Sequence, residues 1–320
     1  MKLAVFSPVF GNLSLETALK ILSSKGVDGM ELGAGGYPGK AHADVIRLRD
    51  DPKKVKELKD LFEKYNVEIC ALSVHGNGVH PQAQIAKTAT EELEAAIKVA
   101  PELGVKKIIT FSGCPGDGKG DMPNWVTCAW PNEYRDVLDY QWNDVLIPYW
   151  KKEAQLAKDN GVQICFEMHP GFCVYNPETM LRLRSAVGDA LGANLDPSHL
   201  IWQGIDIVSA IKYLGNALYY FHAKDTALDR ENVARNGVLD TKPYGNEAER
   251  SWVFRTVGYG SDEKFWKDIV SALRIAGYDD YLSIEHEDSL MTQTEGLEKA
   301  IEFMRGIMIR QPRTNDLWWV

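Results

Sequence analysis

Gln163-Ile164-Cys165-Phe166-Glu167-Met168-His169 climbs through apolar side chains and ends on a carboxylate and an imidazole. Such a run reads as a short buried strand whose last residues leave the apolar interior, because charged groups are costly there without partners. The pattern recurs three times downstream. Strands over 193–196, 218–224 and 281–287 end on Asp196, on His222 and Lys224, and on Glu285 and Glu287. Amphipathic helical stretches near 177–187, 207–214, 263–276 and 294–309 separate and follow them. Upstream the same beat runs through strands near 3–8, 29–33, 68–75 and 107–112. Their helices fall near 14–25, 52–65, 90–103 and 145–160. Eight strand-helix units in succession, with no low-complexity linker, predict an α/β fold of the (β/α)8 TIM-barrel type. An open doubly wound sheet would explain the alternation but not the count.

The chain has 320 residues and a formal charge of −9, with 45% hydrophobic and 25% charged residues. Its pI is near 5.4. That composition is ordinary for a globular domain. A single TIM-barrel domain over 1–320 is expected, with lid-like insertions at 113–143 and 226–262 after the fourth and seventh strands. Segments this long inside a domain are usually functional. The acidic balance argues against a nucleic-acid partner. No run approaches the ~18–20 apolar residues of a membrane span, and no signal peptide is visible, so a cytoplasmic location is expected. The five cysteines, Cys70, Cys114, Cys128, Cys165 and Cys173, lack paired metal spacing and read as reduced, mostly buried thiols.

Two glycine-rich stretches lead nowhere. Gly33-Ala34-Gly35-Gly36 has Pro38 where a dinucleotide fingerprint needs its third glycine. Gly113 to Gly120 nearly spells a phosphate loop, but Gly120 replaces the required Ser or Thr. No nucleophile elbow is present.

The strand ends carry the chemistry. Glu167 to Asp196 is 29 residues and Asp196 to His222 is 26, each about one strand-helix unit; His222 to Glu285 is 63, one unit plus a long insertion. Four adjacent strands would aim these side chains at one point. Three carboxylates and one imidazole suit a hard to borderline divalent cation, and without one the carboxylates would repel each other. Glu287 shares a strand face with Glu285 and rivals it as a ligand.

The stations Glu167-Met168-His169-Pro170, Asp196-Pro197-Ser198-His199, His222-Ala223-Lys224-Asp225 and Glu285-His286-Glu287-Asp288 resemble the xylose isomerase-like superfamily, in its sugar phosphate isomerase/epimerase branch. The resemblance spans nearly the whole chain. It implies one divalent metal ion held by Glu167, Asp196, His222 and Glu285, with Mn²⁺ favoured and Mg²⁺, Co²⁺ or Zn²⁺ as alternatives. It also implies that Glu167 and Glu285 act as the acid/base pair. The implied reaction is isomerisation or epimerisation of a sugar, cyclitol or keto-sugar derivative through a metal-stabilised enediolate. The alternatives are a lyase on keto-glycosides, like the large subunit of a C-glycoside deglycosidase, and a catalytically silent sugar-binding barrel. His199, His75, His169, Lys224 and Trp130 are expected to contact a small carbohydrate substrate. Two positions depart from the ketose 3-epimerases, whose further glutamate and arginine are Cys173 and Leu228 here. A homo-oligomer or a small partner subunit is compatible with the apolar Leu317-Trp318-Trp319-Val320 end. Nine tryptophans are present, and those at 125, 130, 142 and 252 fall in the two insertions, where they could stack on a sugar.

Overall fold

The eight runs form parallel strands that close on themselves. They are β1 (Lys2–Phe6), β2 (Gly29–Gly36), β3 (Glu68–His75), β4 (Lys107–Thr110), β5 (Gln163–Glu167), β6 (Leu191–Leu195), β7 (Leu218–Ala223) and β10 (Tyr281–Ile284). Their order around the barrel is β1-β10-β7-β6-β5-β4-β3-β2. The remaining two strands, β8 (Asp225–Leu228) and β9 (Trp252–Arg255), pair antiparallel as a separate ribbon at the end of β7. The eighth barrel strand is therefore β10. The computed structural model describes residues 1–312, 317 and 319. The expected apolar terminal cluster thus lies partly outside the described residues, at Trp318 and Val320.

The helices pack outside because each carries one apolar stripe. In Glu263–Ile275 the buried residues Trp266, Ile269, Val270 and Leu273 follow helical spacing, and the Asp262 carboxylate caps the Phe265 N–H. Pro177–Val187 opens on a capping box between Asn176 and Thr179. The expected 90–103 helix starts earlier, at Ala83, because the alanine-rich turn ahead of it is a good helix former. A short helix, Val45–Asp50, forms where a loop was expected; the Asp44 side chain accepts from the Ile46 and Arg47 N–H groups. The 226–262 segment is no plain loop either, since it holds β8, β9 and the helix Arg230–Asn236.

Strand alternation builds the barrel interior in columns. Ala71, Cys165, Tyr220 and Tyr281 belong to a small apolar cluster at its floor. Two residues further along each of those strands stand Ser73, Glu167, His222 and Ser283, all buried. Another step gives His75, His169, Lys224 and Glu285. Polarity thus rises along the barrel axis towards the C-terminal ends of the strands.

Candidate active site

Glu167, Asp196, His222 and Glu285 offer ligand atoms that all lie within 4.8 Å of one another. Glu167 ends β5 and the other three stand on or just past β6, β7 and β10, so neighbouring strand ends supply the set. Glu167 is the hub. The Nε2–H of His199 donates to its Oε1 at 2.9 Å and that of His75 to its Oε2 at 3.0 Å. His222 Nδ1 lies 3.4 Å from Glu167 Oε2 and 3.0 Å from Glu285 Oε2.

The four atoms have the character of a cation site. His222 Nδ1 and Asp196 Oδ2 are buried, and neither has a hydrogen-bond partner of good geometry. Unpartnered buried polar atoms are rare and call for an occupant. The donor set, three carboxylates and one imidazole, fits a hard or borderline divalent ion. A second triad, Glu167, His169 and His199, also brings ligand atoms together; its His169 Nδ1 is already committed to the Pro170 carbonyl at 2.6 Å.

Burial and neighbouring charges compete at Glu167, Asp196 and His199, and the outcome differs among them. Burial alone would raise the Glu167 carboxyl, but the hydrogen bonds from His199 and His75, with His222 close by, outweigh it and hold it well below the usual carboxylate range. Burial lifts Asp196 to about 7, against the attraction of Lys224. His199 is pushed down to about 3 by burial, with repulsion from His169 and Lys224 adding to it, so its imidazole is neutral.

Lys224 crowds the same space. Its Nζ is 3.0 Å from Glu285, 3.0 Å from Glu287 and 3.1 Å from Asp196. Burial opposes its charge, yet these carboxylates hold its pKa well above the ordinary lysine value. Glu287 contacts Lys224 but stays outside the convergent set, with a half-exposed side chain. Asp225 faces away from the site and accepts from the N–H groups of Gly258 and Ser261 and from Trp266 Nε1, at 2.9–3.0 Å.

Above the cluster lies a polar cavity of about 260 Å³, lined by His75, His169, Lys224, Glu167, Glu285 and Glu287 with Phe6, Tyr37 and Phe111 among others. It adjoins an apolar cavity of about 690 Å³, and the two share Tyr37, Phe111, His169, His286, Glu287 and Gln293. The larger one adds Phe172, Tyr244, Val253, Phe254 and Met291. Of the residues read as substrate contacts, His75, His169 and Lys224 line the polar cavity, and His199 lies buried against Glu167. Trp130 is not brought to the site: it is 75% exposed and lines neither cavity. The other insertion tryptophans also pack elsewhere. Trp125 lies edge-on to Tyr175, Trp142 is buried under the Arg182 guanidinium, and Trp252 stacks on Trp202. The aromatic walls are phenylalanine and tyrosine instead. Among the cysteines, Cys128 is exposed and the other four are buried.

Glu31 is the site residue that sequence reasoning missed. It sits in β2, fully buried beneath His222. A lone carboxylate in the run Gly29-Met30-Glu31-Leu32-Gly33 was the available signal.

These features match a known family. The model of the xylose isomerase-like TIM barrel matches residues 19–307, and the chain belongs to that family. A Bacillus subtilis (strain 168) protein carrying the name YfiH and no stated function is 38% identical over 309 residues, covering 95% of this chain and 98% of its own. Inosose dehydratase of Geobacillus thermodenitrificans (strain NG80-2) is 26% identical over 165 residues, 51% of this chain and 53% of that one. Among solved structures, the 3-keto-D-glucoside 4-epimerase of E. coli superposes with a TM-score of 0.66 at 13% identity, covering 96% of this chain and 99% of that chain. Among the described residues no helix is long and apolar enough to cross a membrane.

Proposed function

We propose that the chain is a divalent-metal-dependent isomerase or epimerase of a sugar, cyclitol or keto-sugar derivative. Glu167, Asp196, His222 and Glu285 would hold the ion, with Mn²⁺ favoured by the hard oxygen donors. One observation carries the reading: four side chains from four strands converge at the mouth, and two of their ligand atoms are buried without a hydrogen bond of good geometry. When bound, the ion supplies positive charge where an oxyanion develops as a proton leaves carbon beside a carbonyl.

The protein's own groups do the rest. Glu167 is kept ionised and fixed by His75 and His199, so it can take a proton at a defined oxygen. Glu285 stands across the same pocket beside Lys224 and can hold a proton for return. Return to the same carbon from the opposite face gives epimerisation; return to the neighbouring carbon gives isomerisation. His75, His169 and Lys224 line the polar cavity, where they would orient hydroxyl groups. A second reading, a lyase on keto-glycosides, is favoured by the adjoining apolar cavity, which has room for a group beyond the sugar ring. A silent sugar-binding barrel would have no need for both Glu167 and Glu285.

Elemental analysis of the purified protein is expected to find one divalent ion per chain, lost in His222→Ala. Ketoses or inososes incubated in D₂O should exchange the proton next to the carbonyl. A metal-free active protein would sink the metal reading. Exchange that survives Glu167→Gln combined with Glu285→Gln would sink the acid/base pair.

A further inference from the structure

Glu31 lies in the barrel interior, one step below the convergent side chains, and has no part in the chemistry above. Its Oε1 and Oε2 are each 3.0 Å from His222 Nε2. The Ser283 hydroxyl donates to Oε2 at 2.7 Å and the Ser73 hydroxyl donates to Oε1. Both carboxylate oxygens are thus engaged by groups from three other strands, β3, β7 and β10. The imidazole is clamped on its faces as well. Phe6 stacks on it with ring centres 5.5 Å apart, and Tyr220 meets it edge-on at 5.9 Å.

A neutral imidazole carries one N–H and one lone pair, and the partner of one nitrogen decides the role of the other. Glu31 only accepts in these contacts, so the proton of His222 belongs on Nε2. The lone pair then belongs on Nδ1, the atom that faces Glu167 and Glu285 and has no hydrogen-bond partner of its own. We infer that Glu31 is a positioning residue: it fixes the tautomer and the ring plane of His222 so that Nδ1 is presented to a divalent cation. This rests on the metal reading above and adds a fourth carboxylate to the site, from a fifth strand, β2. The two serines hold Glu31 in turn. A plain polar filler of the barrel would not need to place both oxygens on one ring nitrogen.

The test uses the full chain. Glu31→Gln keeps the shape but halves the accepting oxygens. It is expected to bind Mn²⁺ roughly 10–100-fold more weakly, read by competition with a fluorescent chelator, as removal of such outer carboxylates does elsewhere. In the Zn²⁺-loaded protein, ¹⁵N spectra of the histidines should show His222 protonated at Nε2 and metal-bound at Nδ1, with that signature shifted in Glu31→Gln. A folded Glu31→Gln with unchanged Mn²⁺ affinity and unchanged spectrum overturns the inference and leaves the metal reading standing. Should Glu31→Gln fail to fold, the wild-type spectrum decides alone, since a proton on Nδ1 overturns the inference. A wild-type protein that takes up no ion removes both readings together.

Discussion

The two long segments that follow β4 and β7 are similar in length and both carry tryptophan, yet they do different work. The segment after β7 is stitched to the mouth of the barrel. Asp225 gathers backbone N–H groups from Gly258, Gly260 and Ser261, together with Trp266 Nε1. Asp288 binds Arg255 and the Thr256 N–H. The result is a ribbon whose Phe254 stands 5.3 Å from the His199 ring and stacks on Tyr244. The segment after β4 is organised around Gln141, which donates to the carbonyls of Pro115, Gly116 and Asn124. It sends Trp125 and Trp142 outward against Tyr175 and Arg182. A long insertion becomes part of the candidate site when its polar anchors lie beside the strand ends that carry the convergent side chains, and aromatic content alone does not bring it there.

The largest expected effect tests the anchor. Asp225→Asn replaces two accepting oxygens with one and sets an N–H₂ against several buried donors. A loss of about 3 kcal/mol is expected, the scale of a broken buried network around a charged group, measured by thermal or urea unfolding. A change under ~0.5 kcal/mol, the scale of a neutral surface substitution, would remove Asp225 as the fastener.

A smaller effect separates the walls. Phe254→Ala should raise the KM for a keto-sugar about tenfold, or ~1.4 kcal/mol, by removing an aromatic face from the cavity wall. Trp130→Ala should leave both KM and kcat unchanged. If the tryptophan variant is the one that suffers, the two segments have their roles reversed.

The smallest effect is a pH dependence confined to the segment after β7. Burial would raise the Asp240 carboxyl, but the N–H groups of Lys242 and Ser251 outweigh it and hold it down to about 2. A group lowered in the folded state stabilises above its unfolded value of about 4, and that contribution fades as pH falls towards 2. Pepsin should therefore cut the 237–251 stretch progressively faster from pH 4 to pH 2. Asp240→Asn should flatten that trend, and an unchanged slope would assign it to another carboxylate.

Much of the mouth was legible in the sequence because each station is local: a strand announces its own end, and even spacing fixes which end meets which. Glu167, Asp196, His222 and Glu285 could be grouped in this way. Glu31 could not. Its partners Ser73, His222 and Ser283 lie 42, 191 and 252 residues away, and it stands mid-strand rather than at a strand end. The β8–β9 ribbon was hidden for another reason. Its strands are four residues each and are separated by 23, too short and too distant for a hairpin signal. Tryptophan misled because a large apolar ring fits the outer helix layer as readily as a binding wall.

The inward columns have a consequence for how such a protein can change. Because alternate residues face the axis, inserting or deleting a single residue within β5 would present Phe166 or Met168 in place of Glu167. The same slip in β7 would exchange His222 for Phe221 or Ala223. Length changes inside the strands are therefore all-or-none, whereas the segments beyond their ends can grow by any number of residues. Descent with modification is channelled to the rim, so the surroundings of the cavity can change while the convergent cluster of Glu167, Asp196, His222 and Glu285 is inherited intact.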